Sequence, residues 1–215
     1  MRKQTSGFTL IELLVVISII GVLAATLIGP LVSTTLAANV AADAGQLRTH
    51  ATWFKLYERA HGHELPRVGG HKFVLSTWTS GVFHHSEEEL DMYFSPGSRD
   101  NDPDYRRARD QIEIGKDPWP TLASVTSLDT HYAGRAKSFL RTATHAGEAL
   151  MATDNEGGWT FADGSLNVLL TGGKVRSYSY QDLQKRFGLG KQDKNVPVQT
   201  WGPASIVPEL QRLDR

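Results

Sequence analysis

Several common features are missing from this 215-residue sequence, and each absence excludes a kind of structure or disfavours a class of function. Cysteine is absent, which excludes disulfide bonds but does not locate the protein, because extracytoplasmic proteins need not carry them. Acidic and basic residues number 23 each, so the formal net charge is +0 at pH 7 and nothing indicates a nucleic-acid partner. The sequence contains no G-x-S-x-G, P-loop or dinucleotide-binding motif and no evident internal repeat.

Charged residues are also scarce in the N-terminal segment that follows the basic residues Arg2 and Lys3. From Phe8 to Gly29, Glu12 is the one charged residue of an otherwise apolar run. A helix of roughly 22 residues is long enough to cross the ~30 Å hydrocarbon core of a bilayer. The sequence therefore predicts that the chain enters a membrane, and the position of Glu12 needs an explanation.

Two familiar kinds of membrane segment account for part of this pattern. A cleaved secretory signal has an apolar region of about 7–15 residues, which is shorter than the run found here. A plain signal anchor fits the length and places Arg2 and Lys3 in the cytoplasm, by the positive-inside bias. It does not explain Glu12, because a charge inside an apolar helix costs about 2.5–3.5 kcal/mol on insertion scales.

A third interpretation gives Glu12 a partner. Cleavage between Gly7 and Phe8 leaves Phe8 with a free α-amine, one helical turn from Glu12. In a helical assembly, the amine of one subunit then meets the Glu12 carboxylate of its neighbour. Such a buried ion pair offsets the desolvation of both charges and fixes the axial register between subunits.

The stretch from Gly7 to Val15, GFTLIELLV, resembles the class III leader of type IV pilins and type II secretion pseudopilins. The resemblance implies cleavage after Gly7 by a prepilin peptidase, N-methylation of Phe8, and Glu12 as the assembly carboxylate. Methylation keeps the charge of the amine, so the ion pair with Glu12 is retained. The resemblance covers the N-terminal helix and says little about the remaining three quarters of the chain.

The same resemblance implies partners and a location. The partners are copies of the chain and other pilins or pseudopilins in a helical filament, together with the prepilin peptidase, an inner-membrane assembly platform and the lipid bilayer. The location is the bacterial inner membrane, crossed once, with a cytoplasmic N-terminus and a periplasmic C-terminal head, followed by the filament. The absence of cysteine excludes the disulfide-bounded C-terminal loop of many major type IV pilins.

The segment after Gly29 and Pro30 predicts an amphipathic continuation of the same helix. Proline removes one backbone hydrogen bond, so we expect a kink or a loosened turn there. One helix is predicted from Phe8 to about Arg59, ended by Gly62. Its apolar stripe is formed at three- and four-residue steps by Leu36, Val40, Ala44, Leu47, Ala51 and Phe54, and then reaches Glu58. The polar residues expected mostly off this stripe are Asn39, Asp43, Gln46 and Arg48.

A sheet from the C-terminal half is the natural cover for this stripe. The sequence therefore predicts an α+β fold, with a long N-terminal helix, half transmembrane and half amphipathic, packed on a C-terminal antiparallel β-sheet head in a pilin-like arrangement. The predicted segments are a leader peptide (1–7), a transmembrane polymerisation helix (8–30), an amphipathic helix (31–60), a periplasmic globular head (61–190) and an extended or mobile tail (191–215).

Local patterns predict the elements of the head. Residues 72–83 indicate a strand and a loop, and Ser86 is expected to cap a short acidic helix. Further helices are predicted near residues 104–112 and over 132–144, and strands at 148–155 and 158–162. Ser179 is expected to cap a helix over 181–187 that Gly188 ends.

The sequence NVLLTGGKV predicts a β-hairpin that turns at Gly172 and Gly173. A two-residue turn there pairs Leu170 with Val175, and Val168 with Ser177. The hairpin loosely resembles the H-x9-DG subfamily of pseudopilin-like proteins. Ala162 stands where that subfamily has histidine, and Gly172 stands where it has aspartate, so only the strand–turn–strand scaffold carries over.

Oxygen donors at alternate positions make Asp100, Asp102 and Asp104 a candidate calcium site, because calcium takes six to eight oxygen ligands. The resemblance also supports this candidate site, because some pseudopilins hold calcium in their C-terminal region. Tyr105 replaces the glycine expected after the third acid, and Gln111 replaces a bidentate glutamate. The alternative is a solvated acidic loop neutralised by Arg99, Arg106 and Arg107, and we expect no other cofactor.

Histidines give a second candidate metal site, for zinc. The spacing HGHE is not the H-E-x-x-H pattern of zinc enzymes, and Gly62 breaks the helix that would align its ligands. The alternative is a set of exposed or hydrogen-bonding loop histidines. The residues concerned are His61, His63, Glu64, His71, His84 and His85.

Two functions remain open from the sequence. The first is a structural, non-enzymatic subunit of a type II secretion pseudopilus or a type IV pilus-like filament, processed by prepilin peptidase and assembled through its N-terminal helix. The second is a membrane-anchored periplasmic enzyme or metal-binding protein with a pilin-like leader. The sequence does not distinguish pilus from pseudopilus, although the absence of cysteine favours the pseudopilus.

Overall fold

The structure, a computed structural model, describes residues 9–139, 147–154, 160–188 and 201–214. The chain divides into two compact units, Met1–Ala38 and Asn39–Arg215. In its described part, the first unit consists of the N-terminal portion of one helix. The second unit, here called the head, contains the rest of that helix and the other helices and strands of the described residues.

Helix α1 spans Leu10–Ala60 and runs unbroken through Pro30. The predicted single helix is therefore confirmed, and it ends as expected at Gly62, which has a φ of 68° in the left-handed region. In the head, the buried face of α1 comprises Asp43, Ala44, Gln46, Leu47, His50, Trp53 and Phe54. The prediction that Asp43 and Gln46 lie off this face is wrong, because both find hydrogen-bond partners inside the core.

Five antiparallel strands form a single sheet in the described chain. They are β1 (Tyr132–Arg135), β2 (Ala149–Thr153), β3 (Leu166–Leu170), β4 (Val175–Tyr178) and β5 (Leu213–Asp214). Their spatial order is β4-β3-β2-β1-β5. With the long helix, this sheet makes the α+β, pilin-like fold that the sequence predicts.

Both faces of the sheet are covered, because successive side chains of a strand point to opposite sides. On one face, Met151 and Leu169 pack with the buried residues of α1 and with a second helix, α2 (His71–Thr79). On the other face, Ala152 and Val168 pack with residues from the C-terminal part of the chain, Leu183, Val207, Leu210 and Leu213.

Three further helices agree with the sequence prediction. Helix α3 (Glu87–Asp91) is capped by Ser86, whose side chain accepts from the Glu89 N–H. Helix α4 spans Pro103–Glu113, close to the short helix expected near 104–112. Helix α5 (Tyr180–Phe187) begins at a capping box formed by Ser179 and Asp182 and ends at the left-handed Gly188.

Three predicted segments differ in type from the structure. Residues 72–83, expected as a strand and a loop, contain α2, with Phe73, Val74, Leu75 and Trp78 fully buried. Residues 132–144, expected as a helix, begin with strand β1, and the 3-10 turn Lys137–Phe139 follows. In the expected strand at 158–162, the described residues 160–162 form no strand. A short apolar run does not reveal its own period, so tertiary contacts decide its structure.

The predicted hairpin forms, but its register is wrong by one residue. Leu169 pairs with Val175, and Asn167 pairs with Ser177. The connection is longer than two residues, because the Leu170 N–H donates to the Lys174 carbonyl oxygen at 2.8 Å. Gly172 and Gly173 both have positive φ, which makes this turn accessible mainly to glycine.

The prediction of an extended or mobile tail is wrong for residues 201–214. The 3-10 turn Pro208–Arg212 places Leu210 in the core, and β5 pairs with β1. The Tyr178 hydroxyl donates to Glu209 Oε2 at 2.8 Å, which fastens this turn to β4. The chain therefore returns to complete its own sheet. The earlier part of the predicted tail, residues 191–200, lies outside the described residues.

Candidate functional site

The N-terminal part of α1 exposes large apolar side chains around its whole circumference. Leu10 is 82 % exposed, Ile11 is 70 % exposed, and the series continues as far as Val32 at 65 %. The window of highest hydropathy within α1 averages 2.7 and has none of its area buried. Because water solvates such a surface poorly, this segment requires a lipid or protein environment. By its length and composition, this segment is able to cross a membrane.

Glu12 closes a capping box at the start of this helix. Thr9 precedes the first helical residue, and its N–H and Oγ1 both donate to Glu12 Oε2, at 2.8 and 2.7 Å. The Glu12 N–H in turn donates to Thr9 Oγ1 at 3.3 Å. Reciprocal bonds of this kind satisfy helix N–H groups that have no partner within the helix. Within the described chain, Glu12 Oε1 makes no hydrogen bond, so one side of the carboxylate stays open to a further donor.

The other predicted assembly residues are placed as follows. Gly7 and Phe8, the expected cleavage site, lie outside the described residues. Gly29 and Pro30 lie inside α1, where Thr34 Oγ1 donates to the Pro30 carbonyl oxygen at 2.8 Å. Pro30 has no N–H to donate to the carbonyl four residues earlier. A softened turn at Gly29–Pro30 therefore stays a prediction.

The three carboxylates of the candidate calcium site all face protein groups. Asp102 caps α4 and accepts from the Asp104 and Tyr105 N–H groups, at 2.7 and 3.0 Å. Asp104 pairs with Arg107 at 3.0 Å, and Asp100 pairs with Arg99 at 3.1 Å. The described part of the chain brings no three acidic or histidine residues into a metal-binding group. Calcium binding by Asp100, Asp102 and Asp104 stays a prediction.

A buried histidine that no sequence pattern indicated, His131, lies next to this region. His131 Nδ1 accepts from the Ser95 N–H at 3.1 Å and lies 3.2 Å from Ser98 Oγ, while its Nε2 lies 2.9 Å from Asp102 Oδ2. Burial raises the pKa of Asp102, but the hydrogen bonds from His131, Tyr105 and Asp104 outweigh it and leave that pKa below its usual value.

The order of Ser98, His131 and Asp102 is that of a hydrolytic triad, but the contacts serve the fold. The Nδ1 lone pair is already shared with the Ser95 N–H. The N–H groups of Ser98 and Arg99 both donate to the Ser95 carbonyl oxygen, so neither points outward as an oxyanion donor. The three residues fasten the 95–98 turn to the start of α4 and to β1.

The histidines of the candidate zinc site do not converge in the described chain. His61 stacks on Tyr57, with ring centroids 4.0 Å apart. His85 stacks on Trp78 at 4.2 Å and places its Nδ1 3.1 Å from Asp117. Both arrangements are local aromatic and hydrogen-bonding contacts, as the alternative interpretation expected for these residues.

Comparison with known protein families matches the N-terminus of the chain. The family model described as the prokaryotic N-terminal methylation motif matches residues 2–28. No curated protein and no solved structure matches the chain. The matched segment contains Gly7, Phe8 and the Thr9–Glu12 capping box, and it covers most of the exposed apolar surface of α1. Residues 2–28 therefore match the class III prepilin-type signal.

Proposed function

We propose that the protein is a structural subunit of a type II secretion pseudopilus or a type IV pilus-like filament. Cleavage falls between Gly7 and Phe8, Phe8 is N-methylated, and α1 then packs against the same helix of neighbouring subunits. The observation that carries the proposal is the methylation motif on a helix whose apolar side chains are exposed on all sides. A lone membrane anchor needs the apolar surface but gives no role to the carboxylate of Glu12.

The geometry at Thr9 supports a role for Glu12 in assembly. Thr9 satisfies Oε2 of Glu12 within the subunit and leaves Oε1 available. A cationic amine from a neighbouring Phe8 would supply the missing donor and neutralise the charge. The pair would stabilise the register of packed helices more than their overall cohesion, since burying both charges costs much of what their attraction returns.

In this proposal the head decorates the filament and performs no catalysis. Arg2 and Lys3 stay on the cytoplasmic side of the inner membrane, and the head lies in the periplasm, in keeping with the positive-inside bias. Between the two systems we favour the pseudopilus, because the chain lacks cysteine. The presence of Glu12 favours a shaft subunit over a tip subunit.

The mature N-terminus tests the processing step. The chain is purified from the membranes of its native host, and its N-terminal peptide is analysed by mass spectrometry. We expect a peptide that begins at Phe8 and carries one added methyl group on its α-amine. A chain that retains Met1 through Gly7 in the mature protein would contradict the proposal and leave a plain signal anchor.

Substitution of Glu12 tests the assembly step separately. Glu12→Ala should insert into the membrane normally, because it removes a charge from an apolar helix, yet its crosslinking into multimers should fall at least tenfold. Glu12→Gln, which keeps the shape but not the charge, should show the same defect. Ser18→Ala is the matched control, because the Ser18 hydroxyl bonds within its own helix and is not expected to matter. Undiminished multimers of Glu12→Gln would rule out the ion pair.

A further inference from the structure

A carboxylic acid is enclosed where α1 meets the sheet of the head. Asp43 lies on α1 and is 0 % exposed. It makes hydrogen bonds to one residue from each of three strands, Tyr132 of β1, Thr153 of β2 and Asn167 of β3. Within the described residues, no lysine, arginine or histidine contacts it. A buried carboxylate without a cation is costly, which raises the question of its protonation state.

One of the two oxygens of Asp43 is an acceptor. Thr153 Oγ1 donates to Oδ2 at 2.5 Å, and Asn167 Nδ2 donates to it at 2.7 Å. The same Asn167 nitrogen also lies 2.9 Å from the Val40 carbonyl oxygen, which fixes the orientation of the amide. Oδ2 therefore faces two donors and has no need of a proton.

The other oxygen, Oδ1, faces the Tyr132 hydroxyl at 2.8 Å. That hydroxyl lies equally close, at 2.8 Å, to Gln46 Oε1. The Gln46 amide cannot be reversed, because its Nε2 donates to the Asp91 carbonyl oxygen at 3.0 Å. Tyr132 thus has two oxygen partners and a single proton to donate.

We propose that Asp43 is protonated on Oδ1 in the folded protein and donates that proton to the Tyr132 oxygen. Tyr132 then donates to Gln46 Oε1, and Gln46 donates to the Asp91 carbonyl. Every short contact in this relay becomes a hydrogen bond with one proton. With Asp43 ionised, either the Asp43–Tyr132 contact or the Gln46–Tyr132 contact would join two oxygens without a proton between them.

The surroundings agree with a neutral acid. Burial raises the pKa of Asp43, and the hydrogen bonds from Thr153, Asn167 and Tyr132 oppose this rise without cancelling it. The Ser95 side chain also faces the carboxyl group, but its hydroxyl makes no hydrogen bond within the described chain. Thr153, Asn167 and Ser95 are uncharged, so β2, β3 and the 95–98 turn contribute no positive charge.

The titratable groups nearest to the relay are neutral or already paired. Burial lowers the pKa of His50, one turn beyond Gln46 on α1, to about 4, so its ring stays neutral. Burial raises the pKa of Tyr132 well above its usual value, so its hydroxyl stays protonated. The positive charge of Arg99 acts to lower the pKa of Tyr132, but this guanidinium pairs with Asp91 at 2.8 Å. In this proposal the relay is a pH-sensitive contact between α1 and the sheet, within the head.

The sign of the pH dependence follows from the proton count. The folded state holds a proton on Asp43 that the unfolded chain releases above about pH 4. Folding therefore takes up one proton, and the folding equilibrium constant falls about tenfold for each pH unit, until the folded carboxyl itself ionises. Stability from this group is greatest at low pH and declines as the pH rises.

Asp43→Asn tests the proposal in the full chain, held in detergent micelles. Asparagine keeps an oxygen for Thr153 and Asn167 and offers an N–H to Tyr132, but it does not titrate. Urea unfolding followed by tryptophan fluorescence gives the folding constant at pH 7, 8 and 9. We expect the ratio of variant to wild-type constants to rise with pH, by up to tenfold per pH unit as long as the folded carboxyl keeps its proton. A ratio that does not change with pH would overturn the proposal.

A second variant and a second measurement keep the test decisive. Asp129 is also buried but pairs with Arg107 at 3.1 Å, so Asp129→Asn should weaken the fold at every one of these pH values. Carbon-13 NMR of wild-type protein labelled at the aspartate carboxyls should show one protonated carboxyl at pH 7, which Asp43→Asn removes. If Asp43→Asn does not fold, the absence of any protonated aspartate signal in the wild type overturns the proposal by itself.

Discussion

His50 is fully buried in the head, among aromatic rings that do not stabilise a positive charge on it by pairing. Its ring meets those of Trp53, Tyr93 and Tyr132 edge-to-face, with centroids 4.9, 5.0 and 5.6 Å away. Nε2 lies 2.8 Å from the Met92 carbonyl oxygen, which only accepts, so Nε2 carries the proton. Nδ1 is buried and has no hydrogen-bond partner in the described chain. Protonating it would place an unpaired cation in the core.

His50 should therefore make the head sensitive to acid. Burial lowers the pKa of His50 to about 4, although the Met92 bond opposes this shift. The unfolded chain takes up a proton below about pH 6.5 and the folded chain does not, so stability is lost as the pH falls towards 4. Between pH 7 and pH 4 we expect His50→Gln, which retains a donor for Met92, to gain about 3 kcal/mol relative to wild type in urea unfolding. Parallel stability curves for the two proteins would contradict this.

Asp43 and His50 change the stability in opposite directions as the pH rises. This determines the pH range in which the effect of each residue can be measured. Between about pH 4 and 6.5, the folded state holds one extra proton on Asp43 and lacks one on His50, so the two pH slopes cancel. Above pH 7 the histidine is neutral in both states, so of these two residues Asp43 is the one that contributes to the slope. For this reason the test of Asp43 uses pH 7 to 9, and the test of His50 uses pH 4 to 7.

The sequence did not identify these residues, because hydrophobic periodicity scores polarity and not partners. Asp43, Gln46 and His50 were polar positions on an amphipathic helix, and the pattern placed the first two outside the core. Each is buried because strand β1 or the C-terminal end of α3, both distant in sequence, supplies its hydrogen bond. Glu12, in contrast, can be selected from the sequence alone, since a charge in an apolar run stands out without any tertiary information.

At the scale of elements, close packing of α2 against β1 explains two of the failed predictions together. Gly70 precedes α2, and its N–H donates to the Arg135 carbonyl oxygen at 3.0 Å. Gly134 of β1 lies so close that a Cβ there would be 2.3 Å from the Gly70 carbonyl oxygen. The helix and the strand therefore depend on each other. Neither segment carries a strong local signal, and only their contact settles that 71–79 is helical and 132–135 is extended.

Gly134→Ala should separate these two elements. The added methyl group also lies 3.0 Å from Val74 Cγ2, so backbone and side chain must both move. We expect a loss of about 3 kcal/mol in the free energy of unfolding, the upper end for overpacking. Gly45→Ala is the matched control, because a Cβ there meets nothing within 4 Å and alanine favours the helix by about 0.5–1 kcal/mol. Equal urea midpoints for the two variants would refute the close approach.

At the scale of the whole molecule, the sequence predicts the α+β architecture but not the return of the C-terminal residues to the sheet. The long helix, the caps of α3 and α5, and the hairpin of β3 and β4 all rest on signals within a few residues of each other. The pairing of β5 with β1, and the burial of Leu210 and Leu213, depend on a chain that returns from far away. Three prolines and the charged residues of this tail gave no local sign of that return.

The division into two compact units predicts how far the chain can be shortened. A fragment of residues 39–215 keeps the whole buried face of α1 and omits the exposed apolar run from Leu10 to Val32. We expect it to be soluble without detergent and to unfold in one cooperative urea transition, monitored by the fluorescence of buried Trp53 and Trp78. A fragment of residues 51–215 is shorter by only part of one helix.

That second fragment should fail to fold cooperatively. It lacks Asp43, Leu47 and His50, and so leaves the Tyr132 hydroxyl and the Met92 carbonyl without the partners they have in the head. Losing buried Leu47 alone costs about 2–5 kcal/mol on the scale of large-to-small substitutions, which is comparable with the whole stability of many domains. If residues 51–215 unfold as cooperatively as residues 39–215, then α1 is an attachment to the head and not part of its core. A broad or absent transition would show that the C-terminal part of α1 and the other elements of the head form one folding unit from residue 39 onward.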